Sequence, residues 1–211
     1  MYGAFIDRVG EGATVDSRIA KQALRSRIRA ARRSRSPEQL AAIGERIRAV
    51  VLELPQVRAA GCVALYASVP GEPDTGPLRA ALRERGVRVL LPVVLPDLDL
   101  DWAQDDGTGQ AGGGIGGDEP TGPRIGVHGI GQADVVVAPG LAIDTRGNRL
   151  GQGGGCYDRA LRRVAPDAFV FALVFDDEVL DAGTDPIPVQ PHDVGVPMVV
   201  TEHRWITLRR A

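Results

Sequence analysis

Apolar positions along this chain recur in two ways, every three to four residues in some stretches and in short unbroken runs in others. Leu24, Ile28 and Ala31 share one face of a helix expected over 17–35, with Ser17 placed to cap it. Ser36-Pro37-Glu38-Gln39 starts a second helix, with serine as N-cap, proline at N1 and glutamine at N3. Its buried face reads Leu40, Ile43, Ile47, Val50, Val51 and Leu54, and Pro55 helps stop it. The run at 62–66 is a buried strand in which Cys62 acts as a small hydrophobe. Leu78, Ala81 and Leu82 mark a helix over 77–85 that ends at Gly86, a residue suited to C′.

A strand at 87–94 follows, then a half-exposed one at 98–102, where apolar and acidic residues alternate and Trp102 serves packing. Val135, Val136 and Val137 form another buried run. A helix from Tyr157 ends near Pro166, and strands at 169–175 and 196–200 complete the core, with 205–208 closing an edge. This order of helices and strands points to a three-layer α/β/α sandwich around a mostly parallel sheet.

Four stretches break the periodicity. Residues 1–16 have no sustained period and read as a flexible tail ahead of one domain over 17–211. Residues 103–117 are polar and glycine-dense, a flexible excursion that no strand or helix frames. The acidic stretch 176–183 is expected as a surface turn or short helix, and 186–193 as an extended segment leading into the last core strand.

Length and composition fit this outline: 211 residues suit one domain with a sizeable core, and 44% apolar with 25% charged residues place the chain among soluble globular proteins. A formal charge of −2 gives no global drive toward nucleic acid or an anionic membrane. No apolar run reaches membrane-spanning length, and the N-terminus lacks a charged-then-apolar signal pattern. The two cysteines, Cys62 and Cys156, make neither a disulfide framework nor a zinc pattern, so a reducing cytoplasm is expected. His128 and His203 have no ligand spacing between them.

Candidate chemistry concentrates in 133–161. An apolar strand there is followed by glycines at 147, 151, 153, 154 and 155, arginines at 146 and 149, and then a helix start. Glycine lets backbone N–H groups approach an anion closely, and a helix N-terminus adds unpaired donors. The stretch therefore reads as a phosphate cradle or, failing that, a flexible surface loop. It is not a P-loop, since no lysine follows the glycines, and Cys156 breaks the dinucleotide fingerprint. Cys156, near a helix N-terminus, is also a candidate reactive thiol. The first helix is strongly basic, with Arg18, Lys21, Arg25, Arg27, Arg29, Arg32, Arg33 and Arg35 and no acid among them. Such a face is usually solvated and sometimes binds nucleic acid. No aromatic is interleaved over 17–36, which argues against a nucleic-acid module.

The run P-G-L-A-x-D-x-x-G-x-R-L-G-x-G-G-G-x-Y-D-R, from Pro139 through Arg159, resembles the signature of the 5-formyltetrahydrofolate cyclo-ligase family, also called 5,10-methenyltetrahydrofolate synthetases. The resemblance extends over roughly 21–201 and is densest in this run. It implies a Rossmann-like layout shared with phosphosugar isomerases and CoA transferases. It implies ATP-dependent closure of 5-formyltetrahydrofolate to 5,10-methenyltetrahydrofolate through an iminium phosphate, releasing ADP and phosphate. Lys21 and Arg25 match a K-x-x-x-R helix that reaches the nucleotide phosphates, and their spacing puts both on one face. With Arg149, Leu150, Gly151, Gln152, Gly153, Gly154, Gly155, Cys156 and Tyr157 they make the implied ATP site, Lys21 and Arg149 being the catalytic pair. Ala67, Glu72 and the loop from Gln152 to Cys156 would bind the folate, Glu72 in an E-x-x-T context accepting from the pterin edge. Read by itself, Glu72 is more simply an exposed loop acid, with Asp74 or Thr75 capping the next helix. Asp158 and Asp193, the latter from an H-D pair with His192, would hold Mg²⁺.

The implied enzyme is a monomer acting on small molecules, without nucleic acid or membrane. A fold-level alternative is a phosphosugar enzyme using the same loop. Three departures stand out. Gln152 replaces a usual Tyr or Arg, Cys156 replaces the first Tyr of a Y-Y-D, and Gly117-Asp118 precede Glu119-Pro120 where an apolar residue is usual.

Overall fold

A computed structural model of the protein describes residues 15–111 and 118–208. The expected tail up to residue 14 and the glycine run 112–117 lie outside the described residues. Three helices, α1 (Val15–Arg32), α2 (Pro37–Leu52) and α3 (Pro55–Ala59), lead into β1 (Cys62–Ala64). Helix α4 (Gly76–Glu84) connects to β2 (Arg88–Val94), on which β3 (Leu100–Gln104) folds back. A ribbon of β4 (Gln110–Ala111) and β5 (Asp118–Glu119) follows, then β6 (Val135–Pro139), β7 (Ala142–Asp144), β8 (Arg149–Leu150) and α5 (Cys156–Ala160). The chain continues through β9 (Phe169–Leu173), β10 (Val179–Leu180), β11 (Met198–Val200) and β12 (Trp205–Thr207).

The seven-stranded sheet has the order β12-β11-β9-β6-β1-β2-β3, its five inner strands parallel and both edge strands antiparallel. From β1 the chain steps outward to β2 and then returns to β6 on the opposite side of β1. That reversal is a topological switch point, and the crevice beyond the C-terminal ends of β1 and β6 is where such sheets bind ligands.

Both faces of the inner strands are buried, as parallel sheets require. One face sets Val63, Leu65, Leu91 and Val137 against Ile47 and Val51 of α2 and Leu78 and Leu82 of α4. The other sets Ala64, Leu90, Val136 and Ala138 against Trp102, Ile130, Ala160 and Leu161. Among the described residues this second layer is thin, carried by the short α5 and 3₁₀ turns. Among them, too, no helix is long and apolar enough to cross a membrane.

Helix α2 starts as its sequence predicts, with Ser36 accepting from Gln39 N at 3.3 Å and Gln39 accepting from Ser36 N at 2.8 Å. Pro55 stops α2 and opens α3. Helix α1 differs from expectation: it includes Val15, so Ser17 lies inside it, and it ends at Arg32. Ala31 is exposed, and the buried stripe is instead Lys21, Leu24, Ile28 and Arg32. Leu24 and Ile28 pack on Leu141, Ala142, Leu150, Leu180 and Ile187, over a separate three-stranded sheet, β10-β7-β8.

Glu178, expected on an acidic surface, is buried instead. Arg32 forks onto its two oxygens at 2.7 and 2.8 Å and donates to Gly140 O at 2.7 Å. Burial pushes the Glu178 carboxyl up, and the Arg32 fork opposes it. Removing one partner of such a pair costs about 3–5 kcal/mol. The pair therefore clamps α1 against the residue that follows β6.

The stretch expected to leave the fold at 103 stays in it further. Ala103 and Gln104 complete β3, and buried Asp105 accepts from Arg79 at 2.9 Å and Arg83 at 2.6 Å. Trp102 is fully buried, in keeping with the packing role expected of it.

Candidate active site

One cavity of about 470 Å³ lies at the switch point. Ala67 and Glu72 reach it from the segment after β1, and Lys21 and Arg25 from α1. Arg149 through Asp158 line it from the segment after β6, and Asp193 from the approach to β11. The residues that the family resemblance assigned to phosphate, folate and metal line one space, though they lie up to 172 positions apart.

The glycine stretch is more ordered than a loop. Strands β7 and β8 form an antiparallel hairpin, and Asp144 closes its turn by accepting from Arg146 N, Asn148 N and Asn148 Nδ2. Arg146 sits exposed at that turn and does not line the cavity, so it drops out of the cradle. Arg149, on β8, points inward: Nη1 donates to Pro139 O at 3.1 Å and Nη2 to Asp158 Oδ1 at 2.8 Å. Its Nε is buried without a partner, as is the Tyr157 hydroxyl. Arg159, in the same lining, adds a third such donor at Nε, and since buried polar atoms are normally paired, these orphaned donors suit an oxygen-rich ligand. Burial raises the Tyr157 pKa, so the phenol stays a neutral donor.

Gly153 and Gly155 adopt φ of 112° and 69°, which L side chains rarely do. A Cβ on Gly153 would also stand 3.6 Å from Arg25 Cζ. Helix α5 is only five residues long, so it adds less N-terminal dipole than the sequence suggested.

Arg25 Nε donates to Gly151 O at 2.9 Å, tying α1 to the glycine segment. Burial lowers its pKa, with Arg29 adding to the effect, yet it remains charged. Lys21 is buried and pairs with Asp193, and it lies 3.4 Å from Gln190 Oε1. An ammonium has three donors, so one remains for a ligand.

The two carboxylates are adjacent. Asp158 Oδ1 accepts from Arg149 and from Val194 N at 3.0 Å, and Asp193 Oδ2 accepts from Lys21 and from Gln190 N at 2.6 Å. Asp158 Oδ2 and Asp193 Oδ1 accept no hydrogen bond among the described residues. Both carboxylates line the cavity, with His192 Nε2 3.7 Å from Asp193 Oδ1, and a pair of hard oxygen donors fits Mg²⁺, which binds through one or two carboxylates, phosphates and waters.

Glu72 is half-buried. Its oxygens accept from Val69 N and Gln152 Nε2, each at 3.2 Å. Burial pushes its carboxyl up. Asp74, not Thr75, caps α4, accepting from Gly76 N at 2.8 Å, whereas Thr75 donates to Tyr66 O. Cys156 is half-buried against the core, and burial raises its thiol pKa. It is a protonated packing residue rather than a reactive thiolate.

Sequence reasoning missed Arg18, Gln190 and Arg159 among the cavity residues. Arg18 shares the helical face of Lys21, and Gln190 lies three residues before Asp193, so both had a positional signal. Arg159, which donates to Gly154 O, had only the motif.

The sequence profile of the 5-formyltetrahydrofolate cyclo-ligase family matches residues 17–202. The chain belongs to that family. A cyclo-ligase of this name from Mycolicibacterium smegmatis is 41% identical over 153 residues, covering 70% of this chain and 77% of the relative. Its Escherichia coli counterpart is 31% identical over 194 residues, covering 82% and 96%. The solved 5,10-methenyltetrahydrofolate synthetase of Aquifex aeolicus superposes with a TM-score of 0.75 at 27% identity, covering 90% of this chain and 94% of its own. The synthetase from Mycoplasma pneumoniae, 19% identical with a TM-score of 0.67, shares the fold. The cavity is therefore the candidate active site of a cyclo-ligase family enzyme.

Proposed function

We propose that the protein closes 5-formyltetrahydrofolate to 5,10-methenyltetrahydrofolate at the expense of ATP. The observation that carries this reading is the convergence of cations, carboxylates and orphaned donors on one cavity at the switch point. A formamide carbonyl is a poor electrophile and its oxygen a poor leaving group. The oxygen attacks the γ-phosphorus and ADP departs, leaving an iminium phosphate. N10 adds to the activated carbon and loses its proton, and phosphate leaves with the former formyl oxygen. Little covalent chemistry falls to the protein, whose task is positioning and charge neutralisation.

The residues suit that task. Lys21, Arg25 and the Nε of Arg149 hold phosphate oxygens, and the Tyr157 hydroxyl donates to a ligand oxygen. Asp158 and Asp193 hold Mg²⁺, which supplies neutralisation of phosphate charge. Glu72 takes the 2-amino-pyrimidinone edge of the pterin beside Ala67. All these groups come from one chain, so a monomer suffices. Mg-ATP is expected to raise the melting temperature, while an oligonucleotide or a sugar phosphate does not. Stabilisation by sugar phosphate alone would favour the phosphosugar alternative.

Glu72 links binding to stability. Its folded pKa lies above the unfolded value of about 4.3, so the native state holds the extra proton and loses stability as pH rises between the two. Glu72→Gln is expected to match wild type in melting temperature near pH 4 and to exceed it at neutral pH. Its KM for the folate should rise by about tenfold, because an amide offers one acceptor where the carboxylate offers two. A variant that gains no stability with pH and binds folate normally would make Glu72 a loop acid.

Cys156→Tyr restores the aromatic usual at that position in the family. It is expected to leave kcat within about twofold and to lower the folate KM by an added stacking contact of about 1 kcal/mol. Loss of activity would mean that the wall has repacked around the thiol, whose Sγ lies 3.2 Å from a Cβ built on Gly154.

A further inference from the structure

Arg29 directs all its side-chain hydrogen bonds among the described residues at Gln152. Its Nη2 donates to Gln152 Oε1 at 2.7 Å and to Gln152 O at 3.2 Å, and its Nε to Oε1 at 3.3 Å. Gln152 Nε2 in turn donates to Glu72 Oε1 at 3.2 Å. Arg29 makes no ion pair among the described residues, and it lies one helical turn from Arg25, whose Nε holds Gly151 O. Like charges at that spacing disfavour each other, so the helix gains nothing of its own from the pair. Arg29 does not line the first cavity. It lines a second one, of about 400 Å³, and Gln152 and Glu72 line both, forming the partition between them.

We propose that Arg29 is a positioning residue for the folate, acting through Gln152 to hold the Glu72 carboxylate in the orientation that takes the pterin edge. The proposal rests on the folate reading above. A carboxylate that receives two donors of a 2-amino-pyrimidinone must present both its oxygens to them. Two bonds orient Glu72, from Val69 N to Oε2 and from Gln152 Nε2 to Oε1, each at 3.2 Å. Each oxygen can accept a second hydrogen bond, so the pair stays open to the pterin. Val69 N is backbone three residues away, whereas Gln152 is an exposed side chain beside Gly153. Gln152 therefore needs its own anchor. An amide has an acceptor end and a donor end, and only the donor end attracts a carboxylate. Arg29 occupies the acceptor end and leaves Nε2 for Glu72. Without Arg29 the amide can turn, and its oxygen then repels the carboxylate it should hold.

The test is a double-mutant cycle on the kinetics with 5-formyltetrahydrofolate and ATP, using Arg29→Ala, Gln152→Ala and the double variant, with Arg29→Lys beside them. Alanine is favourable inside a helix, so Arg29→Ala should fold. It should raise the folate KM about fivefold, the scale of one hydrogen bond, and leave kcat and the KM for ATP within about twofold. Arg29→Lys should recover part of the loss. In the Gln152→Ala background, Arg29→Ala should add nothing. Effects that multiply in the double variant, an unchanged folate KM, or an equal rise in the KM for ATP overturn the proposal. If wild type forms no product, the ATP-dependent reading fails separately, and a readout without ligand decides the role of Arg29. This is the Glu72 carboxyl, titrated by ¹³C NMR and assigned with Glu72→Gln. Besides Gln152, it is faced by Val69 N, by Arg32 of α1 and by the phenols of Tyr66 and Tyr157, which burial keeps neutral. None of these is altered in the variants. Arg29→Ala should move the Glu72 pKa further up in wild type and not in Gln152→Ala, and an unmoved Glu72 overturns the proposal.

Discussion

Asp158→Asn and Asp193→Asn are each expected to fold normally, to lower kcat by roughly a hundredfold, and to raise the Mg²⁺ concentration needed for half-maximal rate. The fold should survive because each asparagine keeps an oxygen for the bonds now made. In Asp158 that oxygen accepts from Arg149 and Val194 N, and in Asp193 from Lys21 and Gln190 N. What each variant loses is the charge and the second oxygen, which in both residues is without a hydrogen bond among the described residues. If the carboxylates only fixed the turn before β11 and the start of α5, turnover would fall little and the Mg²⁺ requirement would stay as it is. That outcome would move the metal elsewhere.

Lys21→Ala should raise the KM for ATP at least about tenfold and leave the KM for the folate within about twofold, because charge-assisted bonds to phosphate are the strong ones. A second effect accompanies it. The Asp193 carboxylate, with its side chain 16% exposed, loses its cation, and the protein should lose about 1–3 kcal/mol of stability. The two effects separate experimentally, since Asp193→Asn removes the unpaired charge without restoring an ammonium. The double variant should regain melting temperature and not ATP affinity. Equal changes in both KM values would leave Lys21 as a clamp between α1 and the 186–193 segment.

The main sheet was legible because its strands are continuous apolar runs and α2 carries its start signal in four consecutive residues. The sheet β10-β7-β8 was not. Its strands are two or three residues long, too short to show a period, and β10 pairs with a strand far away in sequence, Val179 opposite Ile143. Missing that hairpin hid the difference between Arg146 and Arg149, three residues apart but one exposed at the turn and the other turned into the cavity. The buried stripe of α1 was misread for a related reason. Lys21 and Arg32 look like solvent residues until Asp193 and Glu178 arrive from the far end of the chain, and no local pattern announces such partners.

The glycine motif, by contrast, could be read residue by residue, because backbone geometry at Gly153 and Gly155 demands that residue type. The family resemblance named residues that the fold brings to one cavity. It could not reveal that Lys21 sits on Asp193, or that Gln152 bridges Arg29 and Glu72.

The most direct measurement is the absorbance of the methenyl product formed from 5-formyltetrahydrofolate by wild-type protein, with ATP and Mg²⁺ each supplied or withheld. Product is expected when both are present and not when either is left out. Wild-type protein that forms no ATP-dependent product would contradict the proposed reaction.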